Sequence, residues 1–215
     1  MAGREHVVLL HAAVVGKWSL ARFGKRLEKL GFAIHNPGYP NRRLNLPDCA
    51  LHLLPEWERI AASTPDRIHL VGHSMGGLIA RRLVHLHQPR NLGRMVTLGT
   101  PHRGSPLADR LHDWKAFQWL FGPAGQDLVT GRELDWPAPW PPPCEIGLVA
   151  GSVPFGPGTL TLKRPNDGTV AEESSLPPGG TDRARVPATH TTIPYHPRTA
   201  RLAAAFLRTG SFRDG

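Results

Sequence analysis

The chain has 215 residues, 40% of them hydrophobic and 20% charged, a composition that predicts one globular domain spanning residues 1–215. Lysine and arginine are scattered, so the formal net charge of +9 predicts at most weak association with an anionic membrane surface and no specific nucleic-acid partner.

The apolar run at 7–15 is too short to span a bilayer and lacks a clean signal-cleavage site, so we expect a cytoplasmic protein. Cys49 and Cys144 have no CxxC spacing, which argues against a zinc or redox site and favours two free thiols.

Short apolar runs alternate with helical patterns along the chain, an order typical of βαβ units and a mostly parallel central sheet with helices on both faces. The predicted strands are 6–11, 32–36, 67–72, 94–99, 145–150 and 184–188. The predicted helices are 17–30, 47–63, 76–88 and 198–208. The sequence therefore predicts an α/β fold.

Residues 100–143 interrupt this alternation, because they contain no strand pattern and end in a proline-rich stretch. A long insertion in a compact domain is commonly a functional loop, so we expect a lid-like insertion here. Its aromatic side chains suit a wall that meets both an apolar ligand and water. We predict that Trp114, Phe117 and Trp119 contact substrate.

A G-x-S-x-G motif, Gly72-His73-Ser74-Met75-Gly76, lies between a predicted strand and a predicted helix. This is the context that a nucleophile elbow requires, in which a sharp turn exposes the serine hydroxyl and leaves room only for glycine two positions before and two positions after the serine. We therefore predict that Ser74 is a nucleophile.

A serine nucleophile needs a base, and the base needs an orienting acid. Asp167 follows the fifth predicted strand and His190 follows the last one, in the order Ser, Asp, His. The competing acids lie inside the insertion or before the last strand: Asp109, Asp113, Asp127, Asp135 and Asp182. His196 competes for the role of base, but it lies six residues beyond His190.

The loop after the first strand, His11-Ala12-Ala13, is expected to supply one backbone donor of an oxyanion hole. The predicted donors are the N–H groups of Ala13 and Met75. The remaining histidines show no ligand spacing, so we expect neither a metal ion nor a cofactor.

With these motifs assembled, the chain resembles the small bacterial triacylglycerol lipase and esterase branch of the α/β-hydrolase superfamily. The matching stretches are 7–19, 71–77, 98–109, 166–174 and 190–212, and they include GHSMGG and TLGTPHRGSPLA. The resemblance implies a triad of Ser74, Asp167 and His190, an acyl-enzyme intermediate, an acyl ester substrate and no cofactor. One departure is His11-Ala12, where the family usually has His-Gly; if that position needs a positive φ, the alanine would be strained.

Two other functions remain open on the sequence alone. An acyltransferase or thioesterase would use the same triad, and a non-catalytic protein on this scaffold would bind nucleic acid through its basic surface. Analysis of the products formed with candidate acceptors distinguishes transfer from hydrolysis. Steeply salt-dependent nucleic-acid binding without esterase activity would identify a binding protein.

Overall fold

The computed structural model describes residues 3–130, 144–176, 179–180, 182–213 and 215. In this part of the chain, six strands form one sheet in the order β2-β1-β3-β4-β5-β6, and every pair of neighbours is parallel. The strands are β1 (His6–Leu10), β2 (Ala33–His35), β3 (Ile68–His73), β4 (Leu92–Leu98), β5 (Ile146–Gly151) and β6 (Asp182–Val186). The predicted α/β fold with a parallel sheet is confirmed.

Helices connect the strands and cover both faces of the sheet. They are α1 (Ala21–Lys29), α2 (Leu46–Ala62), α3 (Met75–Leu86), α4 (Pro106–Leu111), α5 (Lys115–Gln126), α6 (Glu172–Ser175) and α7 (Pro197–Thr209). Two 3₁₀ helices, Lys17–Leu20 and His190–Tyr195, complete the set described. The predicted helix at 17–30 is thus divided, because a 3₁₀ turn precedes α1.

The core lies on both sides of the sheet, and the alternation of side chains along β1 shows how. Val7 and Leu9 pack with apolar residues of α1 and α7. Val8 and Leu10 point the other way and pack with α2 and α3. A strand buried on both faces reads as a continuous apolar run, which is why the HVVLL sequence of β1 does not alternate with polar residues.

The predicted insertion at 100–143 is described only as far as residue 130, where it contains α4 and α5. Residues 131–143 lie outside the described part of the chain. Gly122 breaks α5 with a φ of 61°, and a Cβ at this position would overlap the backbone of Arg42. The insertion is therefore tied to the loop that follows β2.

Both cysteines are buried and unpaired. No helix among the described residues is both long enough and apolar enough to cross a membrane.

Candidate active site

The turn between β3 and α3 places Ser74 at the carboxyl edge of the sheet. Ser74 has a φ of 53° and a ψ of −122°, and its N–H donates to Leu98 O at 2.8 Å. A Cβ on Gly76 would overlap the Leu10 carbonyl, and a Cβ on Gly72 would overlap Gly77. The glycines of the motif are therefore required by close backbone approach, and the strained serine is held in place by the strand and helix on either side.

The structure brings Ser74, His190 and Asp167 together in one hydrogen-bonded chain. His190 Nε2 lies 2.9 Å from Ser74 Oγ, and His190 Nδ1 lies 2.7 Å from Asp167 Oδ2. All three side chains are buried. Because a carboxylate only accepts, His190 Nδ1 carries the proton, and Nε2 is left to accept the proton of the serine hydroxyl.

Local hydrogen bonds fix the orientation of the Asp167 carboxylate. Oδ1 accepts from Thr169 N–H at 3.0 Å and Val170 N–H at 2.7 Å, which leaves Oδ2 for the imidazole. The next residue, Gly168, has a φ of 91°, and a side chain there would overlap the Phe155 backbone. The turn at 166–169 therefore orients the Asp167 carboxylate toward His190.

His73 supports the loop that carries His190. Burial, followed by the neighbouring His190 imidazole, lowers the pKa of His73 to about 3, so the side chain is neutral. Its Nε2–H donates to the backbone carbonyl of His190 at 2.9 Å. His73 stands at a variable position of the G-x-S-x-G motif, and nothing in the local sequence indicates a partner 117 positions away.

The predicted oxyanion donors lie beside this chain of side chains. Ala13 and Ser74 line the same cavity, and Met75 is the first residue of α3. Among the described residues, neither Ala13 N–H nor Met75 N–H donates to another protein atom. A free N–H at a helix N-terminus favours negative charge, which suits a developing oxyanion.

The concern about strain at Ala12 is wrong, because the positive φ falls elsewhere in the loop. Among the described residues, the non-glycine residues with positive φ are Val14, at 69°, and Ser74. Val15 N–H donates to Ala13 O at 2.8 Å, which closes a three-residue γ-turn around Val14. The strain is thus carried by a β-branched residue two positions later.

A cavity of about 500 Å³ opens beside Ser74 and His190. Its described lining contains no Asp, Glu, Lys or Arg, and apolar side chains of α4 and α5 make up much of its wall. These are Leu107, Ala108, Leu111, Phe117, Leu120 and Phe121. Such a wall fits an uncharged, apolar group.

Of the three predicted substrate contacts, only Phe117 lines this cavity. Trp114 and Trp119 are 64% and 74% exposed and lie outside the lining. The helical period explains the correction: Phe117 and Phe121 are four residues apart and stack at 4.5 Å on one face, whereas Trp119 falls between them on the other. Trp119 instead stacks under the Arg42 guanidinium at 5.1 Å.

The competing acids and base have other partners. Asp182 starts β6 and accepts from Phe212 N–H at 2.7 Å, and His196 caps α7. Asp109 and Asp127 accept hydrogen bonds from the backbone N–H groups of Thr130 and Leu46. The Asp113 side chain is exposed. Asp135 lies outside the described residues. Among the described residues, no three His, Cys, Asp or Glu side chains form a group that could hold a metal ion.

Parts of the chain are similar in sequence to known proteins. A family model for a PGAP1-like alpha/beta domain matches residues 48–120, which contain the elbow. A GPI inositol-deacylase of Coccidioides immitis is 33% identical over 86 residues, which is 38% of this chain and 6% of the relative. A triacylglycerol lipase of Pseudarthrobacter phenanthrenivorans is 41% identical over 54 residues, which is 25% of this chain and 17% of the relative.

The chain thus matches a small part of each of these relatives, whereas a solved structure matches nearly the whole fold. The mature form of a lipase from Bacillus licheniformis superposes with a TM-score of 0.76 at 23% identity, covering 90% of this chain and 88% of the other. The predicted resemblance to lipases and esterases of the α/β-hydrolase superfamily is confirmed: the chain has the fold of this lipase and is similar in sequence to a PGAP1-like alpha/beta domain, over the part that contains the elbow, and to triacylglycerol lipases.

Proposed function

We propose that this chain hydrolyses carboxylic esters of uncharged, apolar acyl groups through an acyl-enzyme on Ser74. The observation that carries the proposal is the hydrogen-bonded chain Ser74–His190–Asp167 at the head of an apolar cavity. A serine hydroxyl beside an imidazole that a carboxylate holds in position is the arrangement that activates an alcohol as a nucleophile.

The first half of the reaction forms the acyl-enzyme. Ser74 Oγ attacks the ester carbonyl while its proton passes to His190 Nε2, and the imidazolium is stabilised by Asp167 Oδ2. The carbonyl oxygen becomes an oxyanion, for which the N–H groups of Ala13 and Met75 are the proposed donors. Collapse of the tetrahedral intermediate breaks the bond to the alcohol, which takes the proton from His190 as it leaves.

The second half returns the enzyme to its starting state. A water molecule gives a proton to His190 Nε2 as it attacks the acyl carbonyl, and the second tetrahedral intermediate releases the carboxylic acid. The same proton returns to Ser74 Oγ. No step requires a metal ion or an organic cofactor.

The lining of the cavity supports the choice of acyl group. Burying a charged carboxylate or ammonium against this wall would leave the charge unpaired, since no charged side chain lies among the described lining residues. When an aliphatic chain binds, the chain and the cavity wall both lose contact with water, which stabilises the complex by about 25 cal/mol per Å² of apolar surface buried.

A chromogenic ester series from acetate to palmitate, run beside a fluorophosphonate probe, tests the proposal. Wild-type protein should be labelled once, at Ser74, and Ser74→Ala should lose labelling and on the order of 10⁴-fold or more in kcat. Ser63→Ala is the matched control, because Ser63 lies at the end of α2, where its hydroxyl donates to Ile60 O. Labelling at another residue together with a fully active Ser74→Ala variant would contradict the proposal.

The similarity to GPI inositol-deacylase gives a second candidate for the leaving alcohol, namely an inositol. The chemistry at Ser74 would be unchanged, and only the alcohol side of the substrate would differ. Acylated inositol and acyl thioesters added to the same series separate these substrates from simple esters. Product analysis with added alcohol separates hydrolysis from acyl transfer.

A further inference from the structure

Two residues of the loop after β2 hold the segment between β1 and the first 3₁₀ helix. The Tyr39 ring stacks on the His11 ring at 3.9 Å, and its hydroxyl donates to the His11 carbonyl. Asn41 Nδ2 donates to Ala12 O at 3.1 Å and to Val15 O at 3.0 Å. Both amide protons of Asn41 therefore serve carbonyl groups of one short loop.

The bond to Ala12 O matters because of the geometry of a peptide group. The carbonyl of Ala12 and the N–H of Ala13 belong to one planar trans peptide, so they point in opposite directions and turn together. Ala12 O accepts from Asn41 and also from His11 Nδ1–H at 2.9 Å. Two donors on this oxygen fix the direction of the N–H on the other side of the plane.

The bond to Val15 O acts on the strained part of the same loop. Val14 has a φ of 69°, a region that a β-branched residue enters only when its surroundings impose it. The γ-turn bond from Val15 N–H to Ala13 O closes one side of this turn, and Asn41 holds the carbonyl on the other side. Without Asn41, the loop would be expected to relax toward negative φ at Val14 and to rotate the neighbouring peptides.

We infer that Asn41 is a positioning residue for the oxyanion hole: it touches no reacting atom, but it orients the Ala13 N–H by holding the carbonyls of Ala12 and Val15. The inference rests on the proposed function, since it assumes that Ala13 N–H receives the oxyanion. Asn41 is itself buried and is absent from the described cavity lining, so a direct contact with the acyl group is not part of its role.

Asn41→Ala should therefore weaken stabilisation of the transition state and leave ground-state binding nearly unchanged. Outright removal of one oxyanion donor typically lowers kcat by about 10²- to 10³-fold. Since Asn41→Ala would misdirect the donor rather than delete it, we expect a loss in kcat on the order of 10- to 100-fold with KM within about threefold.

Asn41→Asp separates orientation from packing, because aspartate has nearly the same shape but, when ionised, donates no hydrogen bond. It would also face two carbonyl oxygens with a negative charge. We expect Asn41→Asp to lose at least as much kcat as Asn41→Ala. If Asn41 only filled space, the aspartate variant would stay close to wild type.

Asn91→Ala is the matched control. Asn91 Nδ2 donates to three backbone carbonyls, those of Ala61, Thr64 and Asp66, at 2.8–3.3 Å. These carbonyls lie in the last turn of α2 and in the turn that leads into β3, on the side of the sheet where the strands begin and away from Ser74. The control should lower thermal stability as Asn41→Ala does, with kcat unchanged.

The experiment measures kcat, KM and the dissociation constant of an alkylboronic acid for wild type and the three variants. A boronic acid forms a tetrahedral adduct on the serine and places an oxygen in the oxyanion hole, so its affinity should fall in both Asn41 variants by about the same factor as kcat. Unchanged kcat and boronic acid affinity in both variants, or an equal loss in Asn91→Ala, would overturn the inference. If wild type itself neither hydrolyses esters nor labels at Ser74, the proposed function fails instead, so the two failures are distinguishable.

Discussion

The hydrogen bonds of Asp167 make a specific prediction for Asp167→Asn. The two backbone donors, Thr169 N–H and Val170 N–H, face Oδ1 and require an acceptor there. In the variant, the amide oxygen would keep these bonds, so the amide NH₂ group would face His190 Nδ1. A nitrogen that faces an NH₂ group must accept, and the proton of the imidazole would therefore move to Nε2.

That change of tautomer removes the base. With a proton on Nε2, His190 could no longer accept the proton of Ser74 Oγ across the 2.9 Å contact. The equivalent change in a well-studied serine protease triad lowers kcat about 10⁴-fold. Because two donors fix the amide here, we expect a loss on the order of 10³- to 10⁴-fold, or about 4 to 5.5 kcal/mol in the activation barrier.

The assay is the steady-state hydrolysis of a chromogenic ester whose chain length wild type prefers. Asp182→Asn is the matched control, because Asp182 also accepts backbone N–H groups, from Arg183 and Phe212, but lies at the start of β6. The control should keep wild-type kcat. An Asp167→Asn variant within tenfold of wild type would refute the argument that the local donors impose the tautomer.

Two further predictions concern acid stability and chain length. Burial, followed by the charges of Arg94 and Arg67, lowers the pKa of His69 to about 4. Protonation of this side chain therefore favours the unfolded chain. As the pH drops from about 6.5 towards 4, the free energy of unfolding should fall by about 3 kcal/mol from this group. Urea unfolding of His69→Gln should show a pH slope smaller by about one proton in this range, and an unchanged slope would contradict the assignment. Phe117→Ala should lower the ratio of kcat/KM for octanoate to kcat/KM for acetate by about five- to tenfold, because apolar contact with the longer chain is lost. Trp119→Ala should leave that ratio unchanged, since Trp119 is exposed and lies outside the cavity lining. The reverse result would support the sequence-based prediction that Trp119 contacts substrate.

The elements of the fold and the place of Ser74 in the sharp turn between β3 and α3 could be predicted because they depend on local sequence. A strand that is buried on both faces is apolar throughout, and a sharp turn into a helix tolerates only glycine at fixed positions beside Ser74. Asp167 and His190 could be nominated because each lies in the connection that follows a strand, and parallel strands bring such connections to one edge of the sheet. The predicted strand boundaries at 94–99 and 184–188 were shifted by about two residues, since β4 begins at Leu92 and β6 ends at Val186.

The sequence by itself therefore determined the local features: the apolar strands, the amphipathic helices, the turn at Ser74 and the turn that carries Asp167. Tertiary structure alone decided which face of α5 meets the cavity, so that Phe117 lines it and Trp119 does not. It also decided that the strain after β1 falls on Val14, and that Asn41 reaches the carbonyls on either side. These contacts join segments that are far apart in the chain, and their geometry follows from strand order and helix packing, which no single segment encodes.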